Sequence, residues 1–110
     1  MESKVLGLLG IARRAGHIAI GFDAVKALLV DGRAQFILLA ADRSAKTEKE
    51  LRYTAQNSFC PIRVLAADKE ALAHARGLQK PVAVAATDDR GFAAAMQKHL
   101  GTDTKEDVAL

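Results

Sequence analysis

At 110 residues, 50% hydrophobic and 26% charged, the chain has the size and balance of one globular domain with an ordinary core. Its longest apolar runs, 36–41 and 81–86, reach about six residues against the roughly 20 of a membrane helix, so no membrane partner is expected. The formal net charge is +3; positions 101–110 set Lys105 against Asp103, Glu106 and Asp107, which leaves +5 on residues 1–100 and a composition compatible with a polyanionic partner.

In chain order, Val5, Leu8, Leu9 and Ala12 share one face of a helix expected over about 4–15, with Gly16 as its stop. Glu2 before this stretch and Arg13 and Arg14 after it reverse the charge order of a secretion signal, which points to the cytoplasm. "HIAI" reads as a brief extended segment and Gly21 as a turn. Ala24, Val25, Leu28 and Leu29 then form the buried stripe of a second helix, ended by Gly32 and polar at Asp23, Lys26 and Asp31. "QFILLAA" is apolar on consecutive residues, as a central strand covered on both faces must be.

"DRSAKT" is loop. Thr47 with Glu50 three residues on marks the start of a mostly polar helix through about Asn57. "PIRVL" is a strand, Asp68 caps a short helix to Arg76, "GLQKP" is a loop and "VAVAATD" the last strand. A final helix runs from about Arg90 to Leu100, capped by Asp88 and Asp89. This alternation predicts an α/β fold, a three-layer α/β/α sandwich with a four-stranded mixed sheet and about five helices. The domain is expected to occupy 1–100, with 101–110 as a flexible acidic tail.

Catalytic and cofactor signatures fail on their chemistry. Gly16 and Gly21 have the interval of a phosphate loop, but Phe22 and Asp23 stand where a lysine and a hydroxyl should be. Gly7 and Gly10 lie in an apolar helical pattern and read as close helix packing, and no dinucleotide fingerprint is present. No cofactor is expected. The lone Cys60 forms neither a disulfide nor a zinc framework, so no metal is expected either. No motif joins Cys60 to His17, His74 or His99; a small hydrolase built on it would need a deep pocket bringing a histidine within hydrogen-bond reach. The chain reads as non-enzymatic.

What remains is the geometry of polar ends. The loop after the first helix, the start of the second, the loop after "QFILLAA" and the loop "RGLQKP" are expected to emerge at one end of the sheet. That end would gather Arg13, Arg14, Lys26, Arg43, Lys46, Arg76 and Lys80 around the free N–H groups of the second helix. Asp23 has two readings there, accepting from base amino groups or satisfying the helix dipole. Phe22 reads as a packing residue ahead of a base-stacking one.

The stretches "LLGIARRAGHIAIGFDAVKALLVDGRAQFILLAADRS", "LAHARGL" and "VAVAATDDRGFAAAM" resemble the YlxQ-like proteins, the bacterial branch of the ribosomal-protein superfamily that binds kink-turn RNA. The resemblance covers nearly all of 5–100 and implies the same sandwich fold. It also implies RNA contacts from the start of helix two, the loop after the central strand and the loop before the last strand. Kink-turn binders carry Gly-x-Asn-Glu-x-x-Lys at the first of these. Here Gly21 takes the glycine and Asp23 the asparagine, while Ala24 and Ala27 stand at the glutamate and lysine. In the later loop Ala73 replaces a glycine, and Gly77 and Leu78 are kept.

The resemblance thus implies a cytoplasmic binder of structured RNA, kink-turn-like or ribosomal, with Gly21 allowing close backbone approach; a monomer is expected. Asp23 would face a base, Arg13, Arg14, Lys26, Arg43 and Lys80 phosphates, and Leu78 an extruded base. The alternative is a protein-interaction module that keeps the fold with a degraded RNA site.

Overall fold

A computed structural model describes residues 2–56, 58, 60–75 and 82–109. The element order is α1 (Glu2–Arg14), β1 (Ile18–Ile20), α2 (Phe22–Val30), β2 (Phe36–Leu39), α3 (Ala45–Ala55), β3 (Ile62–Val64), α4 (Lys69–Ala75), β4 (Val84–Thr87) and α5 (Arg90–Ala109). The strands form one mixed sheet in the order β1-β4-β2-β3. β2 and β3 are parallel, while β4 runs antiparallel to both β1 and β2. The expected α/β/α sandwich is the fold observed.

Alternation along β2 explains its unbroken apolar run. Phe36 and Leu38 point into a core shared with Val5, Leu9 and Ala12 of α1, Leu72 of α4 and Met96 of α5. Ile37 and Leu39 point the other way, onto Val25 and Leu29 of α2 and Leu51 of α3. All four residues of β2 are buried, as are all four of β4, whereas the edge strands β1 and β3 are only half-buried. Burying both faces of the two inner strands anchors both cores, because each large apolar side chain removed from water contributes about 1.5–3 kcal/mol.

Helix ends follow side-chain chemistry. The first two helices close near the expected glycines, where His17 N–H donates to Ala12 O and Arg33 N–H to Leu28 O, both at 2.9 Å. α3 starts earlier than the Thr47–Glu50 pattern predicts: Ser44 is its N-cap, and its hydroxyl oxygen accepts from Thr47 N–H at 3.0 Å. Asp68 caps α4 by accepting from Ala71 N–H at 2.9 Å, and Asp89 caps α5 by accepting from Phe92 N–H at 2.8 Å. α5 overruns its expected end at Leu100 and continues to Ala109. Gly7 is exposed, and a Cβ there would meet nothing within 4 Å, so close helix packing does not account for it.

Candidate nucleic-acid interface

Strand directions decide which loops meet. β1, β2 and β3 all end at one edge of the sheet, and antiparallel β4 begins there: Leu39 pairs with Val84 and with Val64, and Ile20 with Ala85. The start of α2, residues 40–44 between β2 and α3, and residues 65–68 between β3 and α4 therefore share that edge. Backbone bonds knit them together, from Gly21 N–H to Val84 O (3.0 Å), Ala40 N–H to Ala83 O (2.8 Å) and Ala41 N–H to Ala67 O (2.8 Å).

Gly21 is the N-cap of α2, with φ 93° and ψ 162°. That backbone region is closed to residues bearing a Cβ, so glycine is required by conformation. No side chain caps the helix, and its first-turn N–H groups have no intrahelical acceptor. They remain donors for an anion arriving from outside. Asp23 is exposed in this first turn and makes no capping bond. Phe22 is half-buried and packs on the α2/α3 core, with Lys26 Nζ 5.7 Å from its ring centroid. The ring packs inward, as the sequence suggested, and lends its outer face to the lysine.

Arg43 lies in the loop at this edge, as expected, but its guanidinium is engaged within the protein. Its Nε and Nη2 donate to Glu48 Oε1 at 2.9 and 2.8 Å, and its Nη1 donates to the Ala41 carbonyl at 2.8 Å. Glu48 also accepts from Arg52 Nε at 2.8 Å. The hydrogen bonds from Arg52 and then Arg43 hold the Glu48 carboxyl below its ordinary value of 4.5. Arg43 is thus a brace of the loop between β2 and α3, and because Glu48 is shared with Arg52 the cluster keeps a net charge of +1. Asp42, which the sequence reading passed over, accepts from Lys69 N–H at 2.8 Å and ties this loop to the start of α4. Its position after the central strand, at the end of "LLAAD", was the signal available.

Lys46 is exposed in the first turn of α3, beside the same edge. Arg76, Gly77, Leu78 and Lys80 lie outside the described residues. Arg13 and Arg14 belong to the opposite edge of the sheet, not to this cluster. They end α1, which leads into the start of β1, where Ile18 pairs with Thr87. A helix that enters a strand meets its beginning, whereas α2 leaves from its end.

That opposite edge is a structural lock. The Thr87 hydroxyl, in a residue 1% exposed, donates to His17 O at 2.7 Å and accepts from Asp89 N–H at 3.1 Å. Asp88 bridges His17 Nδ1 at 2.9 Å and Arg33 Nη2 at 3.1 Å. Asp89 serves as the cap predicted; Asp88 instead joins β1, the α2–β2 turn and α5.

Cys60 lies beside a cavity of about 190 Å³ whose other lining residues are Leu29, Gly32, Ala34, Gln35 and Ser58. No histidine lines it, and burial pushes the thiol up to about 11, away from the thiolate a nucleophile needs. Among the described residues no group of three or more His, Cys, Asp or Glu is placed to hold a metal, and no helix is long and apolar enough to cross a membrane.

These features define an α/β/α sandwich that presents an uncapped helix terminus beside two braced loops at one edge of its sheet. The chain belongs to the ribosomal protein L7Ae/L30e/S12e/Gadd45 family, which it matches over residues 3–97. It is similar to a Bacillus halodurans protein of unknown function, with a TM-score of 0.80 and 27% identity over 86% of this chain and 94% of that one. A Giardia lamblia 15.5-kD RNA-binding protein superposes with a TM-score of 0.76 and 19% identity over 92% of this chain and 88% of that one. No curated protein matches the sequence significantly.

Proposed function

We propose that this chain is a non-enzymatic, monomeric RNA-binding protein of the cytoplasm. It grips structured RNA, kink-turn-like or ribosomal, at the sheet edge formed by the start of α2 and its flanking loops. One observation carries the reading: α2 opens at Gly21 with no side chain over its N–H groups, at the position where the resemblance to kink-turn binders implies an RNA contact. Membership of a ribosomal-protein family and the likeness to an RNA-binding protein from Giardia support it.

In this reading the α2 amides and the ammonium groups of Lys26 and Lys46 meet phosphates, while Asp23 accepts from a base amino group. Arg76, Gly77, Leu78 and Lys80 would complete the site from the loop before β4. Arg43 serves by holding its loop in shape. The exposed apolar residues Ile11, Val30 and Tyr53 sit on three different helices, with Ile11 across the sheet from the others, which gives a protein-interaction reading little to stand on.

The test is binding of a labelled kink-turn hairpin and of a plain duplex of equal length, each titrated with salt. Tighter binding of the hairpin, weakened and altered in base preference by Asp23→Ala, is the expected result. Equal affinity for both RNAs removes shape recognition, and no binding to either returns the fold to a protein partner.

A further inference from the structure

α2 and α3 both start at the candidate RNA edge and descend side by side on the same face of the sheet. Between them runs an open groove of about 820 Å³ with Lys26 on one wall and Lys46, Lys49 and Tyr53 on the other. Lys46, Lys49 and Tyr53 are spaced three and four residues apart, so they form one stripe down α3, about 10 Å long. All three lysines are exposed, and none makes an ion pair among the described residues. Glu50 also lines the groove, which leaves a net of two positive charges.

Tyr53 is the only tyrosine in a chain without tryptophan, and it is 72% exposed. Its ring takes part in no core cluster, and its hydroxyl makes no hydrogen bond among the described residues. An aromatic face left open at the foot of a lysine stripe is the arrangement that single-stranded nucleic acid uses: cations follow the backbone and a ring receives a base.

We infer that the α2–α3 groove is a second RNA subsite, which takes a single-stranded segment leaving the structured RNA held at the sheet edge. Its phosphates follow Lys26, Lys46 and Lys49, and one unpaired base stacks on Tyr53. The inference rests on the RNA reading above and extends it from Lys26 and Lys46, which the two subsites share, down the groove to Lys49 and Tyr53, which the helix-terminus contacts do not reach. An acidic peptide satisfies the lysines equally well, but it leaves the open ring and the continuity with the sheet edge without a use.

The experiment uses the full chain and three probes: a blunt kink-turn hairpin, the same hairpin with a single-stranded extension of about six uridines, and the free uridine oligonucleotide. Iodouridine in the extension should crosslink to Tyr53, located by mass spectrometry. The extension should tighten binding by at least about ten-fold. Tyr53→Ala should lose about ten-fold on the extended hairpin only, with Tyr53→Phe restoring it. Lys49→Ala should lower the salt slope for the extended RNA by about 0.7.

Equal binding of blunt and extended hairpins, with no crosslink at Tyr53, overturns the subsite and leaves the sheet-edge reading intact. If the blunt hairpin does not bind, the free oligonucleotide decides: a Tyr53 crosslink supports the groove while the sheet-edge reading fails, and its absence ends both. Displacement of the uridine oligonucleotide by an oligoglutamate of equal charge, unaffected by Tyr53→Ala, assigns the groove to an acidic protein instead.

Discussion

Two residues carry consequences larger than their size. Gly21 sits where a side chain has room but the backbone does not allow one: a Cβ would meet nothing within 4 Å, yet φ is 93°. Gly21→Ala should therefore destabilise the protein by about 1–3 kcal/mol through backbone strain alone, read as a lower urea midpoint at unchanged slope. An unchanged midpoint would mean that the start of α2 relaxes to another conformation. Thr87 is the second. Its hydroxyl satisfies the His17 carbonyl and the Asp89 amide inside the protein, and Thr87→Val leaves both without their partner. A loss of about 1–3 kcal/mol is expected on denaturation, whereas Thr87→Ser should recover most of it because it keeps the hydroxyl.

At the scale of elements, apolar patterning placed the strands and the first two helices, because burial on two faces or one writes itself directly into residue spacing, while capping residues marked the later helices. Boundaries set by local polar competition were less legible. Ser44, Thr47 and Glu50 all carry capping chemistry, and only the position of Ser44 after the strand's exit loop selects it as the N-cap. The roles of charged residues were harder still, since Arg43 reads from sequence as a free cation and becomes the partner of Glu48 only once α3 folds back beside its loop. That pairing has a pH signature. Glu48 is held below its ordinary value in the folded protein, so its stabilising contribution is present above about pH 4.5 and is lost as pH falls through the lowered value. The difference in stability between wild type and Glu48→Gln should shrink over that acid window. For a partly buried pair this near the surface it should not exceed about 1 kcal/mol at neutral pH.

For the molecule as a whole, the two edges of the sheet divide the residues that carry the family resemblance. Much of what looks distinctive in "GRA" and "TDDRGF", with the His17 that follows "ARRAG", converges on the lock formed by His17, Arg33, Thr87, Asp88 and Asp89, which explains why the resemblance announced the fold more clearly than the site. Arg13 and Arg14 are carried to that edge by connectivity: the turn after α1 enters β1 at its start, and the turn into α2 leaves from its end. A list of basic loops does not contain that distinction, whereas strand direction does. The separation makes a quantitative expectation. Arg13→Ala combined with Arg14→Ala should leave both the affinity for structured RNA and its salt slope unchanged, although it removes two positive charges from the chain. Lys26→Ala combined with Lys46→Ala removes the same charge from the proposed interface and should lower the slope by about 1.4–1.8. Equal reductions from both pairs, measured side by side across a salt titration, would show that RNA responds to net charge rather than to the sheet edge at Gly21.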